Sequence, residues 1–135
     1  MTVIVTDTGF GPDTHTGDFF ALEALTDGAG SVDLPSDTDP RALAPFLGSL
    51  SMIRVDFPSF ADGRGFSIAR ALRRMGYAGR LRAKGHVLAD QYAMARRSGF
   101  DEVEIDDTLA ARQPEAQWLA RADWRAHDYR SRLAS

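Results

Sequence analysis

Met52-Ile53-Arg54-Val55-Asp56-Phe57-Pro58, the loop Asp62-Gly63-Arg64-Gly65 and the segment after them decide the fold of this 135-residue chain. Met52, Ile53 and Val55 make a compact apolar strand that ends at Asp56-Phe57-Pro58. A helix is predicted from about Phe66 to Met75, because Ile68, Leu72 and Met75 recur at i, i+4 and i+7. Gly76 and Gly79 end it, and Arg80 to Ala83 reads as a second strand. A second helix follows from about Val87 to Arg97, with Leu88, Tyr92 and Ala95 inward and Gly99 as its stop. Val103-Glu104-Ile105 is the third strand. This alternation predicts right-handed crossovers and a parallel sheet. The expected fold is α/β: a single domain, residues 1–135, with a small parallel sheet of consecutive βα units and a C-terminal helical tail. The sheet is either open or part of a βα barrel.

Working outward, residues 2–6 suit a strand, and Thr8 to Gly17 reads as a loop. Phe19, Phe20, Leu22 and Leu25 show no clean period, and Val32-Asp33-Leu34 makes a further short strand. Asp39-Pro40 is a helix start, the aspartate capping and the proline fitting the first turn, and the helix runs through Leu43 and Leu47 to Gly48. Tail helices are expected over residues 114–132, docked by Trp118, Leu119 and Trp124; the same aromatics could instead seal a homodimer. The parts are an acidic stretch 1–50, a βαβαβ unit 51–106 and the tail 107–135.

Composition is that of an ordinary globular chain, 44% hydrophobic and 26% charged. No apolar run approaches the ~18 residues of a membrane span and no leader opens the chain, so a cytoplasmic protein without membrane contact is expected. Zero cysteines exclude disulfides, thiolate metal sites and thiol chemistry. The net charge of −3 is unevenly spread: residues 1–63 carry −8, residues 64–97 carry +8 and residues 98–135 carry −3. A cationic middle attracts anionic partners.

Ligands of parallel sheets bind beyond the carboxyl ends of the strands. Those ends supply Asp56 with Asp62, Gly63, Arg64 and Gly65; then Lys84, Gly85 and His86; then Asp106 and Asp107. Glycines at a helix start admit an anion to free N–H groups, with Arg64 and Ser67 adding side-chain contacts. Arg82, Lys84 and His86 extend this candidate anion- or partner-binding site, and Asp90 and Gln91, in the first turns of the second helix, complete it. Plainer roles stand beside each. Asp62 or Ser67 can cap the helix, Arg64 can pair with Asp62, His86 can lie solvated, and Asp106-Asp107 can cap the next turn. Asp90 suits the helix dipole, and Gln91 needs a partner if buried.

Arg70, Arg73 and Arg74 share a helix face, which is solvated, paired with the acidic N-terminal half, or turned to an acidic partner. Overall acidity, with a sequence pI ≈ 5.5, argues against nucleic acid. Three scattered histidines predict no metal site: His15 in a polar loop, His127 in the tail and His86. No dinucleotide, Walker or G-x-S-x-G motif is present, so no cofactor is expected.

The string Leu34-Pro35-Ser36-Asp37, Asp39-Pro40, then Val55-Asp56-Phe57-Pro58-Ser59-Phe60-Ala61-Asp62-Gly63-Arg64-Gly65-Phe66-Ser67-Ile68-Ala69-Arg70 resembles a bacterial family of unknown function. That family is described as an oxidoreductase involved in sulfite reduction. The likeness continues through Gly79-Arg80-Leu81-Arg82-Ala83, Val87-Leu88, Asp90-Gln91, Arg97 and Gly99-Phe100-Asp101, from about residue 32 to 105. Asp62, Gly63, Arg64, Gly65, Arg82, Asp90 and Gln91 match its pattern. His86 stands where the family commonly has Asp, and Ser98 where it has Cys; its C-terminal Tyr-Gln has at most Tyr129-Arg130 as counterpart.

The resemblance implies association with assimilatory sulfite reduction, with sulfite reductase or its electron donor as partner. Without cysteines, an accessory protein of that pathway fits better than a self-contained redox enzyme. The alternative is an enzyme or binding protein for sulfite, sulfate or phosphate at the sheet rim. A homodimeric scaffold is the third reading.

Overall fold

The computed structural model describes residues 2–125. His127, Tyr129-Arg130 and the end of the expected tail lie outside the described residues. Seven strands form one open sheet: β1 Thr2–Thr6, β2 Gly9–Gly11, β3 Phe20–Ala21, β4 Ser31–Leu34, β5 Met52–Phe57, β6 Arg80–Gly85 and β7 Glu102–Asp106. Their order is β2-β1-β7-β6-β5-β4-β3. From β3 to β7 all pairings are parallel, and β1 closes antiparallel on β7 and on β2. The sheet is therefore open, not part of a barrel.

Helices α1 Arg64–Arg74 and α2 Tyr92–Ser98 connect β5 to β6 and β6 to β7. Strands β4 to β7 lie side by side in chain order, so right-handed crossovers leave every helix on one face. That face holds the core. Ile53, Val55, Leu81, Ala83, Val103 and Ile105 from the strands meet Phe66, Ile68, Leu72, Tyr92 and Ala95 from the helices. Side chains alternate along a strand, so the opposite face carries the other half of the sequence. There Asp33, Arg54, Arg82 and Glu102 stand in register across β4, β5, β6 and β7, with Asp56, Lys84 and Glu104 beside them.

No helix covers this charged face; the β2–β3 connection does. It runs from one edge of the sheet to the other, six strand spacings or about 29 Å at ~4.8 Å each. The nine residue steps from Gly11 to Phe20 reach at most about 32 Å, so the strap has almost no slack. It is fastened side chain by side chain. Asp13 accepts from Arg82, Thr14 accepts from Arg80 at 2.9 Å, and His15 Nε2 meets Ser31 Oγ at 2.9 Å. Phe19 lies 3.7 Å from the Arg54 guanidinium. His15 is thus half-buried and bonded, not a free surface residue.

Local chemistry sets the remaining differences from the sequence reading. The Asp39-Pro40 helix forms over Pro40–Phe46 with Asp39 accepting from Arg41 N, but as a 3-10 helix with Pro45 inside it. The second helix begins late. Leu88 N donates to Gln91 Oε1 and Ala89 N to Gln113 Oε1, giving a 3-10 turn at Ala89–Gln91 before α2. Gly99 ends α2 at φ +119°, where a β-carbon is disfavoured.

Beyond β7, Asp106 accepts from Leu109 N and caps α3, Asp107–Arg112; α4 is Glu115–Leu119. Trp118 docks fully buried, donating to Gln113 O and lying edge-on to Tyr92. Leu119, expected to dock, is instead exposed. A five-residue helix that buries Trp118 turns the next position outward.

Candidate anion site at the sheet rim

The parallel strands β5, β6 and β7 end on one edge, and the chain leaving β6 bends sharply there. Gly85 has φ +112°, and a β-carbon on it would stand 2.7 Å from Phe57 O. This bend delivers His86 to the same carbonyl twice. Its backbone N donates to Phe57 O at 2.9 Å, and its ring Nδ1 lies 3.1 Å from that oxygen. A carbonyl only accepts, so Nδ1 carries the proton of that bond and Nε2 is left outside it. Phe60 holds the ring edge-on at 5.0 Å.

His86 borders a cavity of about 250 Å³ shared with Lys84, Arg112, Phe60, Asp106 and Leu109. Lys84 lies in register between Asp56 and Glu104. Glu104 is committed elsewhere, to Arg82 at 2.7 Å and Arg54 at 3.1 Å, and Asp106 is committed to its cap. Among the described residues no carboxylate lies within ion-pair distance of Lys84 or Arg112. Two cations without a close ion-pair partner, an imidazole, Thr2 and Thr108 thus line one hollow together with Glu104 and Asp106, over apolar Ile105, Leu109 and Phe60. Ammonium and guanidinium groups are the donors that oxyanion sites use. Among the described residues, no three His, Asp or Glu side chains are grouped as metal ligands would be.

Other residues read as candidates from sequence stand elsewhere. Arg64 forks onto Asp62 at 3.0 and 2.8 Å and reaches Ser36 Oγ at 2.9 Å. These bonds hold the Asp62 carboxyl well below the usual carboxylate range. With Ser67, Arg64 lines a separate open groove, while Gly63 precedes α1 and Gly65 packs beneath the Phe57 ring. Gln91 braces the rim from below, accepting from Leu88 N and donating to Phe60 O at 3.3 Å. Asp90 is exposed and pairs with Arg121 at 2.9 Å.

Arg82 is no rim residue. It is wholly buried, donating to Glu102 at 2.6 Å, Glu104 at 2.7 Å and Asp13 at 2.8 Å. Burial opposes its charge, but these carboxylates outweigh burial and raise its pKa. Asp13 in turn is drawn down to about 2 by the Arg82 hydrogen bond. Burial, with Arg82 nearby, lowers the pKa of His15.

Within the arginine face, Arg73 turns inward. It donates to the carbonyls of Gly99, Tyr77 and Gly79 and to Asp101. Arg70 and Arg74 remain exposed.

Arg112 and Phe60 had no assigned role in the sequence reading. The available signal for Arg112 is the helix that Asp106 caps, whose i, i+4 pair Thr108 and Arg112 shares one face.

Fold and rim together define a two-layer α/β protein with helices on one face, a strapped charged layer on the other and a cationic cavity at the strand ends. The chain belongs to a family described as a bacterial protein of unknown function, DUF934, whose model matches residues 31–132. The match includes Lys84, His86 and Arg112 and leaves β1 to β3 and the strap outside it. No curated protein and no solved structure matches the chain. Among the described residues no helix is long and apolar enough to cross a membrane.

Proposed function

We propose that this protein binds a small oxyanion in the rim cavity and serves sulfite reduction as an accessory protein, with sulfite as its ligand. The observation that carries the binding reading is the convergence of Lys84, Arg112 and His86 Nε2 on one hollow, with Glu104 and Asp106 already engaged elsewhere. Ammonium and guanidinium offer donors to an anion, and the singly anchored imidazole Nε2 accepts from the O–H of a protonated oxyanion. Sulfite, sulfate and phosphate are all oxyanions. The choice of sulfite rests on the family resemblance of residues 32–105, and the absence of cysteine favours an accessory over a redox enzyme.

Thermal unfolding with sulfite, sulfate or phosphate at millimolar concentration tests the site. The account expects the anion to raise the melting temperature of the wild type and of Arg64→Met, but not of Lys84→Met. No shift with any of the three, or an undiminished shift in Lys84→Met, overturns it. Normal growth of a deletion strain on sulfate as sole sulfur source overturns the pathway assignment alone.

A further inference from the structure

We propose that the groove between α1 and α2, lined by Arg70, Arg74, Arg97 and Trp124, is a docking site for an acidic peptide segment of a partner protein. The helices run against the strands, so their C-terminal ends lie at the edge of the sheet opposite the anion cavity. There the structure leaves a hollow of about 490 Å³, far larger than an inorganic ion needs.

Its cations are unevenly used. Arg73 is spent on Gly99, Tyr77, Gly79 and Asp101 and fixes the floor. Arg70 and Arg74, one turn apart on α1, are exposed and have no carboxylate partner among the described residues. Arg97 faces them from α2, and among the described residues its side chain donates to Trp124 O at 3.3 Å and to no carboxylate.

Placing like charges at i and i+4 costs a few tenths of a kcal/mol in an isolated helix. The negative end of a helix dipole explains cations in the last turn, which accounts for Arg74 and Arg97 but not for Arg70. Among the described residues, three guanidiniums without a carboxylate partner therefore gather on a chain whose net charge is −3.

The wall suits a peptide. The Arg96 and Arg125 guanidiniums each lie 4.8 Å from the Trp124 ring centroid, so an aromatic group stands beside the charges. Tryptophan and arginine are the residue types that dominate protein interfaces. Guanidinium forks match carboxylates in pairs. A nucleic acid would bring a continuous phosphate backbone against the acidic remainder of the surface.

The test uses a fluorescein-labelled oligoglutamate peptide, followed by anisotropy and by Trp124 emission, because the other tryptophan, Trp118, is buried. Saturable binding at low salt is expected, weakening as salt rises. Reversing Arg70→Glu with Arg74→Glu should cost about tenfold or more in affinity, while Arg112→Met should bind as the wild type does. Arg97→Glu, from the opposite helix, should cost a similar factor and serves if the double variant folds poorly. The proposal fails if the peptide does not bind at low salt, or if the reversed variants bind it equally well. It also fails if a single-stranded DNA oligomer binds more tightly, or if the wild type proves a dimer that these reversals dissociate.

Discussion

Arg82 and Glu102 face each other in register on adjacent parallel strands, Nε to carboxylate at 2.6 Å, with both side chains buried. A buried guanidinium of this kind is indispensable once the acids are in place, whatever the pair's net contribution. Removing one partner of a buried pair costs about 3–5 kcal/mol. Arg82→Met should therefore lose stability in that range by urea unfolding at neutral pH. Arg82→Lys should also lose heavily, because a point charge cannot reach Glu102, Glu104 and Asp13 together. A loss below ~1 kcal/mol, the scale of an exposed pair, would contradict the buried-layer account.

The strap should loosen in acid. Asp13 has a folded pKa of about 2 against an ordinary 3.8, chiefly through its hydrogen bonds from Arg82. A depressed carboxylate stabilises the fold above the unfolded pKa, and that contribution is lost as pH falls from about 4 to about 2. Asp13→Asn should melt below the wild type at neutral pH, and the two curves should converge across this window. A gap that stays constant down to pH 2 would show that Asp13 does not fasten the strap.

Two neighbouring arginines of α1 should behave oppositely. Arg73 satisfies three carbonyls and one carboxylate, and each net hydrogen bond contributes about 1 kcal/mol. Arg73→Ala should cost about 2–4 kcal/mol in chemical denaturation. Arg74→Ala, exposed and unpaired, should stay within about 0.5 kcal/mol of wild type. Equal effects would place both side chains in solvent.

Gly85→Ala should damage the rim more than the core. Its φ of +112° and the 2.7 Å approach to Phe57 O force the chain to shift where His86 is anchored. A cost of about 1–3 kcal/mol is expected, together with weakened anion binding. NMR of the His86 ring should report loss of the Nδ1 bond to Phe57 O. An unchanged ring signal would separate the bend from the site.

Legibility followed the range of the forces involved. Strands β5, β6 and β7 and helix α1 carry their apolar periodicity locally, so the parallel unit could be read from residues 52–106. Strands β2 and β3, of three and two residues, are too short for any period, and only pairing across the sheet makes them strands. Arg82 matches the family string and stands two residues before Lys84, so sequence alone groups it with the anion-binding candidates. What buries it is opposite charge at the register positions of β7 and on the strap, which no single segment displays. Lys84 and His86 were legible as rim residues because they close a parallel strand. Arg112 was not, because only the fold-back of α3 returns it to the cavity.

The most direct test of the anion site is calorimetric titration of sulfite, sulfate and phosphate into the wild type, Lys84→Met and Arg112→Met. One charge-assisted contact contributes about 1.5–3 kcal/mol, so each substitution should weaken binding about tenfold or more. Saturable binding to the wild type with that loss in both variants is the predicted result. No measurable heat with any of the three anions, or variants that bind as tightly as the wild type, would contradict the account.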